Sequence, residues 1–283
     1  MNFQVFFLGA LLGACTGTPP VAPAPVESVS TRQPQAQAAP SIVVAPVPLV
    51  ASVLASYETQ VGVVEKRQTN VRLAASKING HVLAPGATFS FNGVVGPRTK
   101  EAGFQEAPEF LAGVKVDGVG GGVCQVSSTL YGVARRGWLT VVRRYAHSRP
   151  VTYTPTGTDA AVAYGELDLV LVNPYDVPLT FRAGLDGNTL RMVIEGLPAD
   201  FEVVHRYAAH HPVAPPRREI PSKYLTQEKR FQAGKEGISG TSTWVKKQNG
   251  VEVDRVVSIS RYQPVPEVWF VPTTPASSSE VPQ

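Results

Sequence analysis

The sequence predicts an α+β protein dominated by antiparallel strands, with a few helices and a small all-β module at its C-terminal end. Short runs of alternating apolar and polar residues recur along the chain, which is the pattern of half-buried strands. Apolar residues at helical spacing appear within residues 70–80 and 124–137. Asp186-Gly187 and Asn249-Gly250 each separate two alternating runs, and such pairs are typical of hairpin turns.

The first predicted helix covers residues 70–80. Asn70 is its expected N-cap and Gly80 its expected C-cap, because these residue types are favoured at helix ends. A Pro-Gly turn then leads into the alternating run Thr88–Phe91, which predicts a short, half-buried strand.

The most informative segment is VDGVGGGVCQVSSTLYGVARRG, residues 116–137. Its glycines permit positive φ and close approach of the backbone. After Cys124 the apolar residues follow helical spacing until Gly137, and they are Val126, Leu130, Val133 and Ala134. We therefore expect a glycine-rich loop that delivers Cys124 to the first turn of a helix with a buried face.

Further strands are predicted between this helix and residue 194. Residues 140–155 read as strand, turn and strand, and residues 164–173 alternate with three leucines on one face. Residues 179–183 and 189–194 flank the Asp-Gly turn and predict a hairpin.

The N-terminal end predicts export and attachment to a membrane. Residues 1–14 are too short to span a bilayer but have the length of a signal-peptide hydrophobic region. Small residues stand directly before Cys15, as in a lipobox, where the cysteine is lipidated after cleavage. A basic residue near the start is missing, so a non-cleaved apolar tail is the alternative. Residues 15–50 are rich in Pro and Ala and predict an extended tether. We expect an envelope lipoprotein, on the outer membrane if the host has one.

The rest of the chain divides into four predicted parts. We expect a central domain at residues 51–198, a Pro- and Arg-rich connector at residues 199–223, and a glycine-rich β module at residues 224–272. Residues 273–283 are rich in Pro and Ser and predict a disordered tail.

Composition argues against several classes of function. The net charge is +4 and no basic run is long enough to indicate a nucleic-acid site. The two cysteines have no paired spacing, so neither a zinc site nor another metal site is predicted, and no motif implies a cofactor. Without a second nearby thiol, a redox sensor is also disfavoured. The sequence leaves the oligomeric state open.

Cys124 is the candidate nucleophile. The N-terminus of a helix favours the thiolate, which is the reactive form of cysteine. His147 follows at a distance that allows a helix and a returning strand, and it is the candidate base. Either Asp159 or Asp168 would orient its imidazole. The alternative is that Cys124 is a small buried residue without a chemical role.

Neighbouring groups are candidates for contacts to a substrate or to a developing oxyanion. Loop N–H groups beside a nucleophile can stabilise such a charge. The candidates are Gly121, Gly122, Gln125, Ser127, Ser128 and Arg98.

Several strings resemble the VanW family. They are FSFN at 89–92, VGPR at 95–98, GGGVCQVSSTLY at 120–131, HSRP at 147–150 and YG at 164–165. Some VanW domains are L,D-transpeptidases that cross-link peptidoglycan through a cysteine acyl-enzyme. The resemblance implies that Cys124 is the nucleophile, that His147 is the base and that peptidoglycan stem peptides are the substrate. A non-catalytic lipoprotein that binds peptidoglycan or glycan, with an accessory role in wall maintenance or glycopeptide resistance, is the alternative.

Residues 227–272 resemble a glycine-rich β module that is appended to VanW and other wall-associated domains. The resemblance implies binding of N-acetylglucosamine polymers. Trp244, Tyr262 and Trp269 are the candidates for stacking on sugar rings. The alternative is that these aromatic side chains form the core of the module.

Overall fold

The computed structural model describes residues 29–30, 52–111 and 114–273. The predicted signal peptide, the predicted lipidation site Cys15, almost all of the predicted tether at residues 15–50 and the predicted tail beyond Thr273 lie outside the described residues. Among the described residues, no helix is long and apolar enough to cross a membrane.

Antiparallel strands dominate the described chain, and three α-helices accompany them. The helices are Glu65–Ile78 (α1), Phe91–Val95 (α2) and Val123–Arg136 (α3). The strands are Val29–Ser30 (β1), Val53–Gln60 (β2), Val82–Leu83 (β3), Thr88–Ser90 (β4), Glu106–Leu111 (β5), Val114–Val119 (β6), Thr140–Arg143 (β7), Val170–Val172 (β8), Leu179–Asp186 (β9), Thr189–Glu195 (β10), Glu202–Val213 (β11), Arg217–Ser222 (β12), Lys229–Gln232 (β13), Gly237–Gln248 (β14), Val251–Tyr262 (β15) and Glu267–Pro272 (β16). This confirms the predicted α+β class.

The central domain is built on a sheet with strand order β2-β10-β9-β3. Helix α3 packs on β2 and β10, and α1 packs on β9 and on α3. A smaller sheet, β4-β8-β7, and the β5–β6 hairpin complete the domain. The N-terminal end of α3 contacts the segment that follows β7, because Cys124 and Ser127 donate to the Val162 and Ala160 carbonyls.

Strands β11 to β16, residues 202–272, form what we call the C-terminal module. One of its sheets has the order β1-β15-β14-β11 and the other the order β12-β16-β13. The pairing of β12 with β16 is parallel, whereas β14 pairs antiparallel with both β11 and β15.

The module and the central domain share one apolar core. Trp244 on β14 and Val256 on β15 belong to the same buried cluster as the apolar face of α3. The ring of Trp244 meets that of Tyr131 edge to face, with 6.3 Å between centroids. Trp138, just after α3, donates to the Asp254 carboxylate at 3.0 Å. The two parts are therefore docked by apolar packing and by polar contacts.

Both predicted hairpins are confirmed. Strands β9 and β10 pair antiparallel across Gly187, whose φ is +53°. Strands β14 and β15 pair across Asn249 and Gly250, with φ of +52° and +79°. Two consecutive residues with positive φ match the twist of the flanking strands, which is why Asn-Gly is favoured there.

The predicted start of the first helix is wrong. Helix α1 begins at Glu65, five residues before the expected N-cap, and Val64 caps it without a side-chain hydrogen bond. Asn70 lies buried inside the helix, where its side chain bonds to the backbone of Gln105 and Gly121. Its amide thus ties α1 to the loop before Cys124. Gly80 does follow the C-cap, with φ of +84°.

Two predicted strands are shorter than expected or absent. Residues 151–155 form no strand, and the two prolines that flank this segment, Pro150 and Pro155, lack the N–H donors that a ladder needs. In the alternating run 164–173, only Val170–Val172 is a strand, because the chain turns at Gly165, whose φ is +83°.

The predicted connector at residues 199–223 contains strands β11 and β12. Strand β11 pairs with β14 over most of its length despite Pro212, because the register shifts between Ala209 and Pro212. The Pro and Arg residues that suggested a connector therefore lie within the sheets of the C-terminal module.

Candidate active site

Cys124 is the second residue of α3 and follows a tight glycine turn. Gly120 and Gly122 have φ of +96° and +108°, which side chains rarely adopt. The four apolar residues expected on the inner face of α3 are all fully buried. The predicted loop that delivers Cys124 to the first turn of a helix is confirmed.

The glycines are needed because this loop packs tightly on its neighbours. A Cβ on Gly121 would lie 2.5 Å from the Ala107 carbonyl oxygen of β5. A Cβ on Gly122 would lie 3.0 Å from side-chain atoms of Arg67 and Val71 on α1. The backbone turn that presents the thiol is thus held by both α1 and the β5–β6 hairpin.

His147 is oriented by a carboxylate. Its Nδ1 lies 2.7 Å from Asp159 Oδ2, and its backbone N–H donates to the same oxygen at 2.7 Å. The Asp159 side chain is 1% exposed and that of His147 is 19% exposed. Asp159 is therefore the residue that orients His147, one of the two that sequence reasoning left open.

Asp168, the other candidate, faces different groups. Its carboxylate accepts from the Ser90 hydroxyl at 2.6 Å and from the Asn92 backbone N–H at 2.8 Å. It helps to fix the start of α2, and its catalytic assignment as the orienter of His147 is wrong.

The second oxygen of Asp159 is held by a buried guanidinium and a phenol. Arg144 Nη2 lies 2.9 Å from Oδ1, and the Tyr262 hydroxyl donates to Oδ1 at 2.7 Å. Arg144 is 2% exposed, so this is a buried ion pair. Neither Arg144 nor Tyr262 was assigned to this site from the sequence, because no local pattern links them to Cys124.

The Cys124 thiol is paired with His147. Burial raises the pKa of the thiol, but its hydrogen bond with His147 and the positive charge of that imidazole outweigh burial and lower the pKa below its usual value. Arg98 lowers the pKa further through its charge. The thiol also lies 3.4 Å from the Val162 carbonyl oxygen, to which it donates when protonated.

The imidazole is held in its charged form. Burial lowers the pKa of His147, but the hydrogen bonds to Asp159 and Cys124 raise it to about 10. The pKa of Asp159 is correspondingly far below its usual value: burial raises it, and the His147 hydrogen bond and the Arg144 charge more than compensate. The hydrogen bonds and charges at this site therefore favour the thiolate and the imidazolium, which are the reactive form of a cysteine nucleophile.

Tyr153 is a further residue at this site that sequence reasoning missed. Its hydroxyl lies 3.5 Å from His147 Nε2 and 3.5 Å from the Ser128 hydroxyl. Burial and the nearby Cys124 charge raise its pKa, so it remains a neutral donor. An isolated tyrosine in a loop rich in Pro and Thr carries no sequence signal for this position.

Arg98 has an unused donor near the thiol. Its Nη1 donates to Asn92 Oδ1 at 2.7 Å, and its guanidinium lies over the rings of Phe91 and Tyr164. Its Nη2 is buried and has no hydrogen-bond partner among the described residues. Asn92 and Tyr164 also line an open cleft of about 390 Å³. Arg98 therefore keeps a buried, charged donor that no described residue uses.

The other predicted substrate contacts are structural. Gln125 is buried and bonds to Arg67, Thr59 and the Gln60 carbonyl. Ser127 and Ser128 are fully buried, and both donate to the Cys124 and Ala160 carbonyls.

Gly121 and Gly122 also have internal roles. The Gly121 N–H donates to the Gly118 carbonyl, and the Gly122 carbonyl accepts from the Gln125 N–H. The Gly121 N–H is thus used within the loop and the Gly122 carbonyl supports the start of α3, while a substrate contact of the Gly122 N–H stays a prediction. The amide of Cys124 itself, in the first helical turn, lacks an intrahelical acceptor and is the better oxyanion donor.

Two of the three predicted glycan contacts are buried. Trp244 is 1% exposed and Tyr262 is 3% exposed, so neither ring can stack on a sugar. Trp269 is partly exposed and lies between Arg217 and Arg230, whose guanidinium carbons are 4.9 Å and 6.0 Å from its ring centroid. Of the three, only Trp269 keeps a surface that a ligand can reach.

No metal centre is indicated at this site. In the part of the chain that the structure describes, no group of three or more His, Cys, Asp or Glu residues is arranged to hold a metal ion.

Comparison with known proteins finds a family match that falls within the central domain. Residues 66–194 match the family model described as VanW like protein. These residues form a VanW-like domain. The match includes Cys124, His147 and Asp159, whereas Tyr262 lies outside it.

Two curated proteins are similar over the VanW-like domain. The uncharacterized protein YoaR of Bacillus subtilis (strain 168) is 44% identical over 126 residues, which are 44% of this chain and 42% of that protein. The vancomycin B-type resistance protein VanW of Enterococcus faecalis (strain ATCC 700802 / V583) is 31% identical over 127 residues, which are 43% of this chain and 46% of that protein. The chain thus spans less than half the length of either relative.

Two solved structures are similar to a smaller part of the chain. The IgA1 protease G5 domain is 22% identical, with a TM-score of 0.20, over 26% of this chain and 94% of that chain. The structure titled HP0197-G5 is 13% identical, with a TM-score of 0.17, over 26% of this chain and 99% of that chain.

Proposed function

We propose that this protein is an envelope acyltransferase that acts on peptidoglycan stem peptides through Cys124, in the manner of an L,D-transpeptidase. The observation that carries the proposal is the hydrogen-bonded series Cys124, His147 and Asp159 at the N-terminus of α3. A thiolate paired with an oriented imidazolium is the arrangement that cysteine acyl transfer requires.

The first step forms an acyl-enzyme. The Cys124 thiolate attacks the carbonyl carbon of a peptide bond between an L-centre and D-alanine, and the electron pair of the C=O bond moves to the oxygen. The Cys124 amide would donate to this oxyanion, as an N–H group at the N-terminus of a helix can. The C–N bond then breaks, the His147 imidazolium gives its proton to the leaving nitrogen, and D-alanine departs.

The second step releases the acyl group. An amine of a neighbouring stem peptide attacks the thioester carbon and forms a new C–N bond. His147 accepts the proton of that amine, the C–S bond breaks, and the thiolate and imidazolium are restored. If water replaces the amine, the product is a free carboxylate and no cross-link forms.

The substrate class is supported by the family match and by the charge of the site. One relative is a vancomycin resistance protein by name, and vancomycin resistance concerns the bacterial cell wall. The departing D-alanine carries a carboxylate, and Arg98 Nη2 is a buried donor with no partner among the described residues. An arginine with a free donor edge suits a carboxylate. These two observations support our proposal that the protein associates with the cell wall and acts on its stem peptides.

The activity is tested with a disaccharide-tetrapeptide that ends in D-alanine. Purified protein should release free D-alanine and form a cross-linked dimer, both measurable by liquid chromatography with mass spectrometry. If folded protein yields no D-alanine, no dimer and no shortened peptide, the acyl transfer is rejected.

A non-catalytic role in wall binding is the second candidate. The observation in its favour is the partial burial of Cys124, which on its own raises the pKa of the thiol. A binding protein should sediment with purified cell-wall sacculi equally well as wild type and as Cys124→Ser, while the substrate stays intact. Loss of substrate with wild type alone excludes this candidate.

Lipid attachment at Cys15 is part of the same proposal. Diacylglycerol on Cys15 would hold the catalytic domain at the membrane, and the Pro-rich residues that follow would let it reach the wall.

Membrane fractions and palmitate labelling test this attachment. Wild-type protein should be labelled and resist a salt wash, because more than one acyl chain anchors stably, whereas Cys15→Ala should be released. Unlabelled, soluble wild-type protein contradicts the anchor.

A further inference from the structure

We infer that the C-terminal module is a working part of the active site: Tyr262 is a positioning residue that holds Asp159 in the orientation that His147 requires. This inference rests on the proposed function, because it assigns a role within the same series of residues. A wall-binding role for the module would concern a ligand that the module itself binds. This inference concerns the reactivity of the Cys124 thiol.

The carboxylate of Asp159 is held from two sides. Oδ2 accepts two bonds from the loop of His147, through the backbone N–H and Nδ1. Oδ1 accepts one bond from Arg144 and one from Tyr262, at 2.9 Å and 2.7 Å. Tyr262 is the last residue of β15, so one of these four donors comes from the C-terminal module.

The phenol itself is fixed in place. The Gly157 N–H donates to the Tyr262 oxygen at 2.8 Å, and the phenol donates its own proton to Asp159. Burial and the Asp159 charge raise the pKa of Tyr262, so it stays a donor across the physiological range. A buried phenol with both a donor and an acceptor partner has one preferred orientation.

A second residue of the module supports Arg144. Arg144 Nη1 donates to the Ser260 hydroxyl at 2.8 Å, and its Nε donates to the Asp159 carbonyl at 2.6 Å. Ser260 is fully buried on β15, two residues before Tyr262 on the same face of the strand. The inner face of β15 therefore supplies one of the two groups that bind Asp159 Oδ1, Tyr262, and contacts the other, Arg144, through Ser260.

The C-terminal module also packs against the loop between His147 and Asp159 and bonds to it. Ser242 on β14 donates to the Gly157 carbonyl at 3.1 Å. Gly157 has φ of +84° and packs against Ser242 and Tyr207, leaving no room for a side chain. Displacement of the module would remove these contacts together, so the thiolate–imidazolium pair depends on docking of the module.

The test compares Tyr262→Phe with Tyr207→Phe in the full-length protein. Tyr207 is a matched control, because it lies in the same module and its hydroxyl has no hydrogen-bond partner among the described residues. The rate of iodoacetamide labelling of Cys124 is followed from pH 5 to pH 9 by mass spectrometry of the Cys124 peptide. Thermal unfolding by circular dichroism is measured for each variant.

Tyr262→Phe should label about tenfold more slowly at pH 6.5, with the profile moved to higher pH, since one bond to a charged group is lost. Tyr207→Phe should match wild type. Ser260→Ala should show a smaller shift in the same direction, which keeps the test valid if Tyr262→Phe unfolds.

Other outcomes separate the two proposals. If wild type labels rapidly at pH 6.5 and Tyr262→Phe labels equally fast while folded, Tyr262 has no positioning role and the acyltransferase proposal stands. Faster labelling of Tyr262→Phe also rejects positioning, because the phenol would then only weaken the Asp159 charge. If wild-type Cys124 itself is inert at pH 6.5, the proposed function fails.

Discussion

Replacing Cys124 with alanine is expected to abolish release of D-alanine from a disaccharide-tetrapeptide, lowering the rate by about three orders of magnitude or more. No other described residue supplies a thiol at the site. The fold should persist, because the substitution removes a single sulfur atom, with its packing at the edge of the core, its contact with His147 and a 3.4 Å hydrogen bond to the Val162 carbonyl. The lost bond costs about 1 kcal/mol in the free energy of unfolding.

Cys15→Ala is the matched control, since it removes the other of the two cysteines in the chain. In a detergent assay it should release D-alanine at the wild-type rate. Full activity of Cys124→Ala would show that the chemistry lies elsewhere and would contradict the assignment of the nucleophile.

Asp159→Asn should have the largest combined effect on stability and reactivity. It leaves the Arg144 guanidinium buried without a counter-charge, and breaking a buried ion pair in this way costs about 3–5 kcal/mol. The pKa of His147 should fall from about 10 toward its ordinary value, because the hydrogen bond to Asp159 is one of the main causes that raise it. Thermal unfolding and the pH profile of Cys124 alkylation measure the two effects.

The stability lost in Asp159→Asn should depend on pH in both directions. His147 has a folded pKa above its unfolded value, so its contribution is complete below pH 6.5 and is lost as pH rises through about 10. Asp159 has a folded pKa below its unfolded value, so its contribution is present above about pH 4 and is lost in stronger acid. The difference from wild type should therefore be greatest between about pH 4 and pH 6.5 and shrink outside that range.

Asp168→Asn provides the control for this comparison. Its carboxylate bonds to Ser90 and to the Asn92 backbone and not to His147, so thiol reactivity should stay close to wild type. If Asp168→Asn reduces thiol reactivity as strongly as Asp159→Asn, the assignment of Asp159 as the orienting carboxylate is wrong.

The local parts of the fold could be predicted from the sequence. The Asp-Gly and Asn-Gly turns act within a few residues, and the helix after Cys124 carries its own apolar spacing. Asn70 was misplaced because its amide serves a distant loop and does not cap the helix. Strand β11 was missed because a bulge tolerates Pro212, and a bulge depends on the partner strand.

The active site could be predicted only in part for a related reason. Cys124 and His147 stood out through their motifs, but the choice between Asp159 and Asp168 requires the path of the chain between them. Tyr262 lies 103 residues from Asp159 and enters from another sheet, so no spacing rule connects the two. The aromatic ring of Tyr262 suggested sugar stacking, but the ring is buried and its hydroxyl donates to Asp159.

The most direct test of the account is to trap the acyl-enzyme on Cys124. Protein mixed with the disaccharide-tetrapeptide is quenched in acid after seconds to minutes, digested, and analysed by mass spectrometry. The account predicts that the Cys124 peptide gains the mass of the substrate minus D-alanine, and that hydroxylamine removes this mass, as expected of a thioester. Release of D-alanine by folded protein with the Cys124 peptide unmodified at every time, or with the adduct on another residue, would contradict it.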